Sequence, residues 1–289
     1  MSVSITEQEF NLPGLTLKGL RAHSESPNEP RHKLLAAHGW LDNANSFIPL
    51  MPLLDNVDLI AVDLPGHGHS SHLPEGANYH FVDTPGTLLK VAESLGWETF
   101  HWLGHSLGGC LAPFAAVTAP NALKSIMMLE ATGPLTEIAT KLPDRLQRSG
   151  KEQRDATRFN SRLLSSIDDA IDSRLRAAKM TRSAAQLLVE RQIKPVDGGF
   201  HWRFDPRHRM ASPVYLTEPQ VLSVLERVLC PALVVAAEEG HLTGRVDTEN
   251  RLQHLQSLTQ VSVPGHHHMH MDDPAPTARA INQFLSNFN

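Results

Sequence analysis

Hydrophobic positions along the chain fall into short unbroken runs. Residues 33–37, 57–62, 100–103, 125–129, 232–237 and 260–263 are largely apolar, and several of these runs lead into Gly, Asp or His. Runs of this length suit strands buried on both faces, as in a parallel sheet covered by helices. Helix-like segments separate them through the first 130 residues and again after about residue 220, so the order of elements predicts an α/β fold. Residues 134–219 break the rhythm. Strand-like runs vanish there, and Arg, Ser, Asp and Ala fill stretches such as 161–179 and 183–192. The shift predicts a helical insertion (134–219) within one core built from 1–133 and 220–289. A second, more polar domain is the competing reading.

Composition narrows the picture by exclusion. A chain of 289 residues, 41% hydrophobic and 20% charged, has ordinary globular make-up. Its net charge of -5, without any Lys/Arg-rich run, argues against nucleic acid as a partner. The opening MSVSITEQEF has no apolar core of a secretory signal. No apolar stretch approaches the ~20 residues a membrane span needs. The expectation is a soluble cytoplasmic protein, monomeric or homodimeric. Cys110 and Cys230, the two cysteines, are expected as buried free thiols.

The run at 100–103 leads into GHSLGG, residues 104–109, and then the apolar LAPFAAVTA. This is G-x-S-x-G between a strand and a helix, the context that gives the pentapeptide meaning. A sharp turn must lift the serine hydroxyl above the sheet while strand and helix backbones nearly touch, and Gly104 and Gly108 supply the room. At a helix N-terminus, Ser106 also places a developing oxyanion beside free backbone N–H groups and the positive end of the helix dipole. The Leu107 N–H is the natural first donor.

With these residues in view, the chain resembles the serine hydrolases of the α/β-hydrolase fold. AAHGWLDNANSF, residues 36–47, is similar to that family's oxyanion loop, and LIAVDLPGHGHS, residues 59–70, to its D-x-P-G-H-G-x-S segment. HGWLDNANSF and the surroundings of Glu130 look closest to the subgroup called serine hydrolase-like proteins. The resemblance implies a mostly parallel eight-stranded sheet flanked by helices, with the insertion as a helical cap. It also implies that Trp40 supplies the second oxyanion N–H, and Gly39 lets that loop turn towards the site. His38 is expected as a hydrogen-bonded loop strut, His67 and His69 as turn residues, and His105 as pointing away from the reacting atoms.

A serine nucleophile needs a base, and in this fold the histidine comes last in the chain, after the acid. GHHHMHMD, residues 265–272, offers His266, His267, His268 and His270 between the last predicted strand and the final helix. Family members close with G-H-x-x-H-x-E-x-P, whose first histidine is catalytic and lies seven residues before the proline. Counting back from Pro274 selects His267, with His268 next and His266 third. A metal site is disfavoured. No cysteine or HExxH pattern accompanies the run, and consecutive loop residues diverge in direction. Neither a metal nor another cofactor is therefore expected. A purification-tag remnant is disfavoured too, because Met269 interrupts the histidines and native-like sequence follows.

The acid is the open role. Most relatives carry an aspartate shortly after the strand equivalent to 232–237, at the position held here by Gly240. Some branches take the acid from the preceding strand instead. There Glu130 follows four apolar residues, where a carboxylate is costly to bury unless paired. Glu130 is the first candidate, with Glu239 second and Asp247 third; a structural tether is the competing role for Glu130.

Together these features predict acyl transfer to Ser106 and hydrolysis of a small to medium carboxylic ester or thioester, without a cofactor. Carbon–carbon bond hydrolysis, perhydrolysis, or a non-catalytic binding module on the same fold are the alternatives. Phe159, Phe200, Trp202 and Met210 are expected to serve as cap core or as pocket lining.

Overall fold

The computed structural model describes residues 3–24, 32–155 and 163–288. An antiparallel hairpin opens the chain, with β1 at Val3–Leu12 and β2 at Leu15–Ser24. The parallel strands follow: β3 at His32–Ala37, β4 at Val57–Val62, β5 at Phe100–His105 and β6 at Leu123–Leu129. Helix α1 is Thr84–Ser94, and α2, Leu107–Thr118, leaves directly from β5.

After β6 the chain departs from the sheet to form α3 at Leu142–Arg154, α4 at Ile167–Ala177 and α5 at Arg182–Gln192. A small hairpin of β7, Ile193–Val196, and β8, Gly199–Trp202, completes this segment. The chain returns through α6 at Glu218–Leu225 to β9 at Ala232–Ala237, α7 at Val246–Leu252 and β10 at Leu258–Val263. A single turn, α8 at Met269–Asp272, and the helix α9 at Pro274–Leu285 close it.

The eight strands are ordered β1-β2-β4-β3-β5-β6-β9-β10, and every pairing from β4 to β10 is parallel. Strands β4, β5 and β9 are buried at every position, which explains their largely apolar sequences, unbroken in β9. One face of the sheet packs Leu88, Leu111, Ala115 and Val221 from α1, α2 and α6. The other packs Ile281 and Phe284 of α9 with Phe47 and Leu50. Helices on both faces make this a three-layer α/β sandwich.

Two features of the structure go unmarked by the apolar runs. The hairpin β1–β2 has no unbroken apolar run, because β1 forms the sheet's edge and is mostly exposed or half-buried, while β2 mixes buried and half-buried positions. Phe10, Leu17, Leu20 and Ala22 are the buried apolar residues of these strands, with Val3, Leu12 and Leu15 packed half-buried against the core, so the sequence TEQE within β1 can remain polar. The segment after β6 is not purely helical either. Phe200 and Trp202 of its hairpin join Leu164, Ile171, Ala185, Val189 and Ile193 in a small core of its own. Met210 is partly buried outside that core, and Phe159 lies outside the described residues.

Polar anchors fasten this segment to the sheet. Arg191 is buried and its Nε donates to both carboxylate oxygens of buried Asp63 at 2.8 and 3.0 Å, while its other nitrogens reach Glu7. Asn43 and Asn45 donate to the Leu188 and Leu187 carbonyls at the end of α5, both at 2.8 Å. A buried ion pair of this kind adds little net stability but fixes one docking geometry, since either charge alone would be costly.

Candidate active site

The end of β5 and the start of α2 meet at Ser106, whose φ of 49° and ψ of -112° are strained for a residue with a side chain. The two glycines are needed for close approach. A Cβ on Gly104 would lie 2.2 Å from the Gly108 carbonyl, and one on Gly108 would lie 1.9 Å from the Ala37 carbonyl oxygen. Backbone bonds lock the turn: Ser106 N–H donates to Leu129 O at 2.9 Å, and Gly108 N–H to His38 O at 3.1 Å. Leu107 is the first residue of α2, so its N–H belongs to the helix turn that has no partner within the helix.

Across the carboxyl edge of the sheet, the loop after β3 carries Trp40. Its side chain is exposed and its indole N–H donates to His208 O in the inserted segment at 3.2 Å. Leu41, next in sequence, has a φ of 59° and turns the loop. His38 is a strut: Nε2 accepts from Leu64 N–H at 2.9 Å, so Nδ1–H donates to Gly39 O at 2.7 Å. Burial, with neighbouring His67, lowers it to about 3, so the ring stays neutral. His67 is likewise tied into its turn, through Leu41 N–H and Pro65 O.

The four histidines of the closing loop diverge. His267 turns Nδ1 to Glu130 Oε2 at 3.3 Å. His268 turns Nε2 to Asp42 Oδ2 at 3.5 Å, and His270 turns Nε2 to Ser46 Oγ at 2.8 Å. His266 lies nearer the surface beside Glu239. A carboxylate can only accept, so His267 carries its proton on Nδ1 and a lone pair on Nε2.

Glu130 sits at the end of β6 with a φ of 52°, a second strained non-glycine backbone. Its carboxylate is fully buried and accepts from Ala237 N–H at 2.7 Å and His241 N–H at 2.6 Å, besides His267. Burial alone would raise its pKa, but the bonds from His267, Ala237 and His241 outweigh it and hold the group below the usual carboxylate range. Gly240 explains why the acid can come from this strand. A Cβ there would lie 2.3 Å from Glu130 Oε1 and 2.4 Å from Oε2, so the carboxylate fills the space a side chain at position 240 would need. The other two candidates are elsewhere: Glu239 is exposed near Lys179 and His266, and Asp247 pairs with Arg245.

Burial pushes His267 below its ordinary value, and Glu130 partly offsets the effect. His241 stacks on its ring, with centroids 4.0 Å apart and planes 21° from parallel. That neighbour had no motif to mark it; its only signal is its position one residue after Gly240. His105 is buried, with its ring centroid 4.8 Å from that of His267, and it is not idle. Its Nε2 donates to the His267 carbonyl at 2.9 Å, linking the residue before the nucleophile to the loop of the base. Cys110 and Cys230 are free but partly rather than fully buried, and Cys110 Sγ bonds to Gly133 O at 2.9 Å.

Sequence and fold resemble those of known proteins. A model of the alpha/beta hydrolase fold family matches residues 34–274. The chain belongs to that family. It is 31% identical to a serine hydrolase-like protein of Dictyostelium discoideum, over 92% of this chain and 78% of that protein. A serine hydrolase-like protein of Danio rerio is 30% identical, over 96% and 88%. Among solved structures, a hypothetical protein from Pseudomonas aeruginosa PAO1 superposes with a TM-score of 0.89 at 34% identity, covering 98% of each chain. The chain is thus a serine-hydrolase-type member of the family, and among its described residues no helix is long and apolar enough to cross a membrane.

Proposed function

We propose that this protein hydrolyses a small to medium carboxylic ester or thioester through an acyl-enzyme on Ser106. In this reading Ser106 Oγ attacks the carbonyl carbon while His267 Nε2 takes its proton. Glu130, hydrogen-bonded to Nδ1, orients the ring and stabilises the imidazolium that forms. The backbone N–H groups of Leu107 and Trp40 receive the oxyanion, a contribution of roughly 3–4 kcal/mol per donor in comparable sites. His267 then returns the proton to the leaving group, and water repeats the sequence in reverse roles to release the acid.

The observation that carries this reading is the buried Glu130 carboxylate on His267 Nδ1 in the space left by Gly240. A carboxylate buried in a purely structural role has no need of a histidine whose opposite nitrogen remains free to act as a base.

Residues 134–219 act as the cap in this proposal. Leu135, Ile138, Leu142 and Leu146 expose apolar surface along its first part, and Val214 is exposed on the strand of chain beside them. Bonds join the two stretches: Glu137 N–H donates to Leu216 O, and the Arg145 guanidinium lies 3.6 Å over the Tyr215 ring. In this proposal the exposed apolar surface of the cap favours substrates with a hydrocarbon acyl or alcohol part.

The test combines labelling by a fluorophosphonate probe with turnover of p-nitrophenyl esters of increasing chain length. Labelling and turnover should both occur in the wild type and both vanish in Ser106→Ala. A folded wild-type protein that is not labelled would instead be a binding module of the same fold. One that is labelled but turns over no ester in the series would be a serine enzyme for another bond.

A further inference from the structure

Behind the proposed base lies a second cluster that the hydrolytic mechanism does not use. Asp42, His105 and His268 come from the loop after β3, the end of β5 and the loop after β10, and one ligand atom of each lies within 4.8 Å of the others. All three are buried. Asp42 Oδ2 is 3.7 Å from His105 Nδ1 and 3.5 Å from His268 Nε2.

The bonding of His105 makes this cluster unusual. Its Nε2 faces the His267 carbonyl oxygen, which can only accept, so in the neutral ring the proton is on Nε2 and Nδ1 carries a lone pair. That lone pair has no hydrogen-bond partner and is directed at a carboxylate oxygen. Two electron-rich atoms facing each other in a buried site repel unless a proton or a metal ion lies between them. Gly39 borders the gap: a Cβ on it would lie 2.9 Å from Asp42 Oδ2 and 3.0 Å from His105 Nδ1, so the missing side chain leaves room beside the pair. Arg174 Nη2 holds the other oxygen, Oδ1, at 2.5 Å and so leaves Oδ2 directed at the two rings.

We propose that Asp42 Oδ2, His105 Nδ1 and His268 Nε2 form a binding site for a divalent transition-metal ion of the zinc type. Two imidazoles with one carboxylate suit zinc and its neighbours, whereas calcium and magnesium prefer all-oxygen sets. Bonds of about 2.0–2.1 Å in tetrahedral geometry place ligand atoms roughly 3.3–3.4 Å apart, so the two oxygen-to-nitrogen distances need to close by a few tenths of an ångström, and the two ring nitrogens, no more than 4.8 Å apart, need to approach as the ion binds. Arg174 takes the part of the outer partner that orients a ligating carboxylate. The closing loop's histidines do diverge, as expected for consecutive residues, so the ligands of this site are assembled from three separate segments and only His268 comes from the run.

Zinc binding to the full-length protein is the test, read by calorimetric titration and by anomalous scattering at the zinc edge from crystals grown with one equivalent of the ion. The proposal expects one ion per chain, with its anomalous peak between Asp42, His105 and His268. It expects binding to weaken by more than about tenfold in both Asp42→Asn and His268→Gln. His266→Ala, outside the cluster, should bind as the wild type does. No stoichiometric binding to the folded wild type, or a peak elsewhere such as at His266 and His241, would overturn it. So would affinity unchanged in both Asp42→Asn and His268→Gln. The wild-type peak decides the matter even if a variant fails to fold.

Discussion

The two halves of the proposed catalytic machinery are built in opposite ways. The nucleophile elbow is written in six consecutive residues, with Gly104 and Gly108 clearing the contact and Ser106 at a φ of 49°, and backbone groups at the ends of β3 and β6 complete it. The acid–base half is assembled from three strand ends, with Glu130 after β6, Gly240 and His241 after β9, and His267 after β10. In the first half a residue's neighbours in sequence set its chemistry. In the second, the residue that matters most is a missing side chain 110 positions away, since Gly240 leaves the volume that the Glu130 carboxylate fills. A local motif tolerates no substitution at its centre, whereas a distributed one can move a function between elements while keeping the geometry.

That contrast can be broken from either side. The largest effect belongs to the elbow: Ser106→Ala should reduce turnover of the best p-nitrophenyl ester by about 10⁶, the scale seen when a triad serine is lost. The distributed half should respond to relocation. Glu130→Gly is expected to cost on the order of 10³–10⁴ in kcat. Adding Gly240→Asp to it should recover part of that loss, because the freed space then holds a new carboxylate near His267. Gly240→Asp alone should recover nothing and lower Tm, since its Cβ would meet the Glu130 carboxylate at 2.3 Å. If the double variant is no better than Glu130→Gly, the shared-space reading fails.

The anchoring of the inserted segment should affect stability more than chemistry. Arg191→Ala leaves Asp63 charged and buried without its ion partner, and urea unfolding should register a loss of roughly 3–5 kcal/mol. Smallest of all is His266→Ala. This histidine lies nearer the surface, beside Glu239, and its removal should shift stability by no more than about 0.5 kcal/mol and leave turnover in place.

Legibility in the sequence followed the same division. The six parallel strands could be read because burial on both faces leaves a largely apolar signature, most complete in β9, although β10 at the far edge is mostly half-buried or exposed. The hairpin β1–β2 was not, because only four of its apolar side chains are buried. The β7–β8 hairpin was hidden for a related reason: two four-residue strands covered by a small local core carry too few apolar positions to show a period. Ser106 and its glycines were legible as a contiguous motif. Glu130 stood out through a departure, the glycine where relatives carry an acid, joined to a carboxylate at the end of an apolar run. The stacking of His241 on His267 and the convergence of Asp42, His105 and His268 were not legible, because each depends on which strand ends become neighbours in the folded sheet.

The central claim is that Glu130, not Glu239, stands behind His267, and the pH dependence of kcat/KM in Glu130→Gln and Glu239→Gln tests it most directly. His267 must be neutral to act as a base, and burial lowers its pKa below the ordinary 6.5, so the wild-type acid limb should fall below that value. Glu130 raises the pKa of His267, so its loss should move the limb to still lower pH. The account predicts that Glu130→Gln loses on the order of 10³–10⁴ in rate with its acid limb shifted downward, while Glu239→Gln keeps both rate and limb. Wild-type activity in Glu130→Gln, with collapse in Glu239→Gln, would contradict it.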